Sequence, residues 1–135
     1  MPDMTPDREE SMRRKLEDLE DAYGPVIREA RKTPWCTDIA VNEDGQIWTT
    51  IGGEVRPTGE FLTDHAARRI VNIIADIDQR SIEKAALSAN LPTGERFAAL
   101  LPPTVRRITI SIRPRLNSRV TRGHLELAPR KRSLW

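Results

Sequence analysis

From Thr63 to Leu91 the chain contains neither glycine nor proline, and the first half of that stretch repeats with the period of a helix. Ala67, Ile70, Val71, Ile74 and Ile77 recur at spacings of three and four, which places them on one helical face, and Ile73 widens the stripe. Thr63 is a natural N-cap, and Asp64 stands in the first turn, where the helix dipole favours an anion. Arg68, Arg69, Asn72, Asp76 and Gln79 fall largely outside the stripe. The segments on either side read differently.

Before this helix, Asn42-Glu43-Asp44-Gly45 sits between short extended runs at 38–41 and 46–51, and Asp-Gly in that setting signals a hairpin. Gly52-Gly53 turns the chain again, and residues 54–58 are expected to return as a short edge strand. After the helix, runs at 85–91 and 96–101 flank Pro92-Thr93-Gly94-Glu95 and predict two strands, the second stopped by Pro102-Pro103. Ile108, Ile110 and Ile112 then alternate with Thr109, Ser111 and Arg113, the pattern of a half-buried strand.

The chain opens on a further helical pattern over residues 5–32. Thr5, Pro6 and Asp7 make a start, and Leu16, Leu19, Tyr23, Val26, Ile27 and Ala30 share one face. Gly24-Pro25 interrupts it, because proline lacks a backbone donor and strains the preceding turn, so two helices or one kinked helix are expected. With helices first, then a hairpin, a helix and three strands, and no repeating strand–helix–strand unit, the fold class is α+β: helices packed on an antiparallel sheet.

Composition sets the outer limits. The 135 residues suffice for one compact domain with a core of its own. A balance of 22 Lys+Arg against 20 Asp+Glu gives a net charge of +2, too small to argue by itself for a nucleic-acid partner. A single cysteine excludes a disulfide framework and any multi-thiolate metal site. No apolar run approaches the ~20 residues of a membrane helix, and the acidic start lacks the order of a signal peptide. A soluble cytoplasmic domain is the expectation.

No standard catalytic constellation is present. The spacing of a P-loop occurs nowhere, and Gly94-Glu95-Arg96 lacks the lysine and hydroxyl that phosphate and magnesium would need. His65 reads as a partly exposed residue of a first helical turn. Cys36, beside Trp35, reads as a small packing residue with no nearby base. Asp44 belongs to its turn. The acids Glu9, Glu10, Glu17, Asp18, Glu20 and Asp21 read as a solvated helix face interleaved with Arg and Lys. Two arginines stand out by position. Arg96 begins one strand and Arg113 ends another, where a rigid sheet can aim a guanidinium outwards in the manner that suits phosphate recognition.

Several stretches, taken in order, resemble a known family. Tyr23-Gly24-Pro25-Val26-Ile27 and then Asp38-Ile39-Ala40-Val41-Asn42-Glu43-Asp44-Gly45-Gln46-Ile47-Trp48 are similar to the start of the TrbB-type conjugal-transfer ATPases, which belong to the hexameric ATPases of type IV secretion. Ala89-Asn90-Leu91-Pro92-Thr93-Gly94-Glu95-Arg96-Phe97, Leu100-Leu101-Pro102-Pro103 and Ile110-Ser111-Ile112-Arg113-Pro114 resemble the later pattern of the same family. The resemblance implies an N-terminal domain over residues 1–114 that precedes a RecA-like motor domain and packs into one ring of a hexamer. It also implies that Arg96 and Arg113 reach the phosphates of ATP, with ATP and Mg²⁺ as the cofactors of the intact family. The implied partners are further copies of the chain, intact ATPase subunits and the transfer machinery at the inner membrane. The implied location is cytoplasmic, at most peripheral to that membrane.

Residues 115–135 depart from the family pattern. Arg115, Arg119, Arg122, Arg130, Lys131 and Arg132 face a single acid, Glu126, with little periodicity, as expected of a poorly ordered tail. The motor half has no counterpart in the sequence, as expected of a shifted reading frame or a truncated gene. Without a P-loop, no ATP hydrolysis and no tight nucleotide binding are expected. The alternatives are a stand-alone interaction module, or weak nucleic-acid binding in which the tail neutralises phosphates and Trp135 stacks on a base.

Overall fold

The structure, a computed structural model, describes residues 6–79 and 82–115. Thr5, the expected start of the first helix, and the basic run over 116–135 lie outside the described residues. The elements follow the order α1 (Pro6–Lys32), β1 (Cys36–Val41), β2 (Gln46–Ile51), β3 (Glu54–Phe61), α2 (Asp64–Asp78), β4 (Ala86–Asn90), β5 (Arg96–Leu100) and β6 (Thr109–Arg113). The fold class is therefore α+β, as the sequence predicts.

The two helices take the forms their residues dictate. In α1, Gly24 leaves the helical region at φ 82° and ψ 170°, the break expected before Pro25. Arg28 Nη1 reaches back 2.7 Å to the carbonyl of Glu20 and so bridges the two halves of the helix across the break. In α2, the hydroxyl of Thr63 accepts from the Ala66 amide at 3.0 Å, the cap expected of it. Ala67, Ile70, Val71, Ile74 and Ile77 are all buried, and Gln79 closes the helix in the left-handed region without a glycine.

All six strands form one antiparallel sheet in the order β3-β2-β1-β6-β5-β4. It consists of two three-stranded meanders, β1-β2-β3 and β4-β5-β6, joined at the centre where β1 pairs with β6 through Ile39↔Ile112 and Val41↔Ile110. β3 is the expected edge strand, but it runs on to Phe61, past an irregularity in its register opposite Gln46 and Trp48. A bulge between Cys36 and Asp38 resets the alternation of β1, so that Cys36 faces the core together with Ile39 and Val41 while Asp38 does not.

Strand alternation then gives the sheet two unlike faces. Ile39, Val41, Ile47, Leu87, Ala89, Phe97, Ala99, Ile110 and Ile112 join Leu19, Tyr23, Ile27 and the α2 stripe in one core cluster. The opposite face carries Asp38, Ala40, Trp48, Ser88, Arg96, Ala98, Ser111 and Arg113, with no helix over it among the described residues.

One polar group crosses the core side. Glu95, in the turn between β4 and β5, is 6% exposed. Its carboxylate accepts from Arg31 of α1 at 2.6 Å and 3.1 Å, and also from the Thr93 hydroxyl. Arg31 donates as well to Glu20 and lies 5.0 Å from the centre of the Tyr23 ring. Burial opposes the charge on Arg31, but its hydrogen bonds with Glu95 and Glu20 outweigh that and hold its pKa above the ordinary arginine value. Glu20, expected on the solvated face, is thus part of a half-buried pair. The cluster fastens the β4–β5 turn to the end of α1.

Removing one member of such a pair strands the other charge away from water, at a cost of about 3 kcal/mol or more. Glu95→Ala is expected to lower the unfolding free energy, measured by urea titration, by about that amount. Glu95→Ala combined with Arg31→Ala should cost less than the sum of the two single changes. A single-variant loss within the ±0.5 kcal/mol of an ordinary surface substitution would show that the pair is not a structural link.

Candidate functional site

Arg96 and Arg113 lie far apart in the sequence but directly opposite one another in the sheet. β5 and β6 pair with Arg96↔Arg113 in register, and Asn90 of β4 stands beyond Arg96. Both arginines fall on the helix-free face, because Phe97 and Ile112 beside them point into the core. Each motif therefore gives one residue to the core and one to the open face. Glu95, the acid next to Arg96, serves the opposite side of the sheet.

Like charges directly opposite in a sheet repel, since their Cβ atoms lie only about 4.5–5.5 Å apart. One carboxylate answers them. Asp38 of β1 approaches Arg113 Nε at 3.6 Å, with the two side chains 39% and 65% exposed. At that length and exposure the pair contributes well under 1 kcal/mol. Among the described residues no carboxylate stands within ion-pair distance of Arg96. The result is a positive charge excess held on rigid strands.

The surface around the arginines is concave. The row behind them is built of small residues, Ser111↔Ala98↔Ser88, and gives a depression of about 320 Å³ that Asp38, Asn90, Arg96 and Arg113 also line. A second depression of about 490 Å³ opens at the end of the strands, between Thr37, Asp38, Gly94, Arg96, Arg113, Pro114 and Arg115. Two planar forked donors above a floor of small side chains can grip a tetrahedral oxyanion from one side.

The remaining candidates fall elsewhere. His65 is exposed on α2. Cys36 is buried, burial raises its thiol pKa, and its Sγ donates to the Asp38 carbonyl at 3.7 Å, all in keeping with a packing role. Asp44 accepts from the Gln46 amide within its turn. Glu10 and Glu17 pair with Arg13 on the exposed side of α1. Arg56 pairs with Glu54 on the edge strand, and Arg68 and Arg69 are exposed on α2 in the layer behind the sheet, so none of the three joins the open-face pair. Arg115, which the sequence groups with the basic tail, borders the second depression. The conspicuous Pro92-Thr93-Gly94-Glu95 turn beside Arg96 was the signal that could have placed it there.

Among the described residues no group of three or more His, Cys, Asp or Glu side chains could hold a metal ion, and no helix is long and apolar enough to cross a membrane.

No family model matches the chain. Over 106 residues it is 31% identical to the probable conjugal transfer protein TrbB of Sinorhizobium fredii (strain NBRC 101917 / NGR234), a match covering 76% of this chain and 32% of that protein. The chain thus spans about a third of the curated relative it matches. The crystal structure of the VirB11 ATPase from the Brucella suis type IV secretion system, in complex with sulphate, has the same fold over 85% of this chain and 37% of that one, with a TM-score of 0.68 and 20% identity. By sequence this chain is similar to part of a TrbB conjugal transfer protein, and by fold to part of the VirB11 ATPase of a type IV secretion system.

Proposed function

We propose that residues 1–114 act as the nucleotide-closing and assembly domain of a secretion or conjugation ATPase, with Arg96 and Arg113 as its contribution to the phosphate site. The observation that carries this reading is the in-register arginine pair on an uncovered sheet face, answered by one weakly held carboxylate. The TrbB relative is described as a conjugal transfer protein, and the solved relative is an ATPase captured with sulphate, an anion of the shape and charge that paired guanidiniums bind. ATP fits the arginines. Mg²⁺, where it takes part, would be held by the phosphates themselves and by residues other than those described. When bound, the nucleotide supplies the bond that is cleaved. The arginines hold its charge in place, and the sheet keeps them from collapsing onto other acids.

Assembly is proposed to run through the β3 edge. Val55 and Phe61 there are 62% and 61% exposed, large apolar side chains on a strand with one unpaired side. In the working assembly the domain would meet the membrane-bound transfer machinery from the cytoplasm.

Three outcomes test this reading. First, the 135-residue chain should show no Mg²⁺-dependent ATP turnover above a no-protein blank, since its sequence holds no P-loop. Turnover abolished by a point substitution would overturn that. Second, in calorimetric titration with ATP at low salt, Arg96→Ala and Arg113→Ala should each weaken binding by roughly tenfold, the scale of one charge-assisted contact, while Asp38→Asn should tighten it. Urea stability of the two arginine variants should change by no more than about 0.5 kcal/mol, because the like-charge contact is relieved. Third, light scattering should show concentration-dependent association that Phe61→Glu abolishes. A monomer at every concentration would remove the assembly role.

A further inference from the structure

We propose that Arg115 is a third phosphate-binding arginine, seated on Gly94, and that it makes the site selective for a chain of phosphates over a single one. The inference rests on the proposed phosphate role of Arg96 and Arg113 and extends it to a residue outside the matched family pattern.

The seat is specific to glycine. Gly94 adopts φ +103°, and a Cβ atom built on it would stand 2.6 Å from Arg115 Cδ and 3.1 Å from Arg115 Cβ and Cγ. The stem of Arg115 therefore lies directly against the backbone of the β4–β5 turn, in space that any other residue type would fill. That turn is itself fixed. Its Gly94 amide donates to the Leu91 carbonyl at 2.9 Å, and its Glu95 is anchored to Arg31 beneath the sheet. From the other side, Pro114 restricts the backbone between Arg113 and Arg115. Both ends of the contact are thus held.

The contact places Arg115 on the lining of the 490 Å³ depression that Arg96 and Arg113 share. Among the described residues no carboxylate stands within ion-pair distance of Arg115, and Asp38 is the one carboxylate among the described residues that line the depression. A depression of this size lies within the ~300–1,000 Å³ range of pockets that hold ligands far larger than one phosphate. A single tetrahedral anion satisfies the fixed Arg96–Arg113 pair. Arg115 lies just beyond that pair, past the end of β6 and on the same depression, where a longer polyanion can reach it while it holds the pair.

The test is calorimetric titration of the full 135-residue chain at low salt with inorganic phosphate, pyrophosphate and tripolyphosphate as probes. The native chain should bind tripolyphosphate more tightly than phosphate. Arg115→Ala should reduce tripolyphosphate affinity roughly tenfold while leaving phosphate affinity unchanged, and Arg115→Lys should recover part of the loss. Gly94→Ala should reproduce the Arg115→Ala selectivity by displacing the stem. Since that variant is strained, its circular dichroism is compared, and Arg115→Ala, an exposed change, decides the matter should Gly94→Ala fail to fold. Retained selectivity in Arg115→Ala, together with lost binding in Arg96→Ala and Arg113→Ala, would overturn this inference and leave the two-arginine site standing. Unchanged affinity in all three variants, or no anion binding by the native chain, would overturn both.

Discussion

The antiparallel pairing of β1 with β6 is the joint on which the rest of the structure depends. Each meander alone is a three-stranded ribbon with one apolar side. Ile39 against Ile112 and Val41 against Ile110 join them in a single register, and that register lines up the isoleucines of both halves under α1 and α2. Because side chains alternate strictly along a strand, the choice that buries Ile110 and Ile112 also places Ser111 and Arg113 outwards. The open face is a by-product of core packing, and so is its charge.

On the proposed reading, that face holds an anion. Around Arg96 and Arg113 it presents small side chains and one carboxylate, Asp38, while burial raises the pKa of the Cys36 thiol on the core side. The backbones of Arg96 and Arg113 are fixed opposite one another by the β5–β6 pairing, which keeps their two charges close until a counter-charge arrives. On the proposed reading, the sheet thereby prepares a binding site in advance of its ligand. The motor chemistry that the relatives' descriptions suggest would come from elsewhere, with this surface closing over it.

The helical layer is tied to the same site from behind. Arg31 at the end of α1 holds Glu95, and the residues on either side of Glu95 are Gly94 and Arg96. A displacement of α1 would therefore be felt at the start of β5. The pair has the short geometry and low exposure that make a charge contact a fixed link and not a surface ornament.

Local elements were legible in the sequence because their causes are local. Thr63 and the isoleucine period determined α2, Gly24-Pro25 determined the break in α1, Asp44-Gly45 determined the β1–β2 turn, and the alternation of Ile108, Ile110 and Ile112 determined β6. Arg96 and Arg113 could be singled out from where they stand along their strands. What only the tertiary structure decided is which residues meet. The β1–β6 pairing joins segments some seventy residues apart, and no period or turn residue encodes a partner at that distance. The bulge after Cys36 changes which side of the sheet Asp38 occupies, and that follows from pairing geometry, not composition. Glu20 reads as a surface acid and Glu95 as a turn residue, until the fold brings Arg31 between them and buries Glu95. Arg115 gains a place only because Gly94 leaves room for its stem.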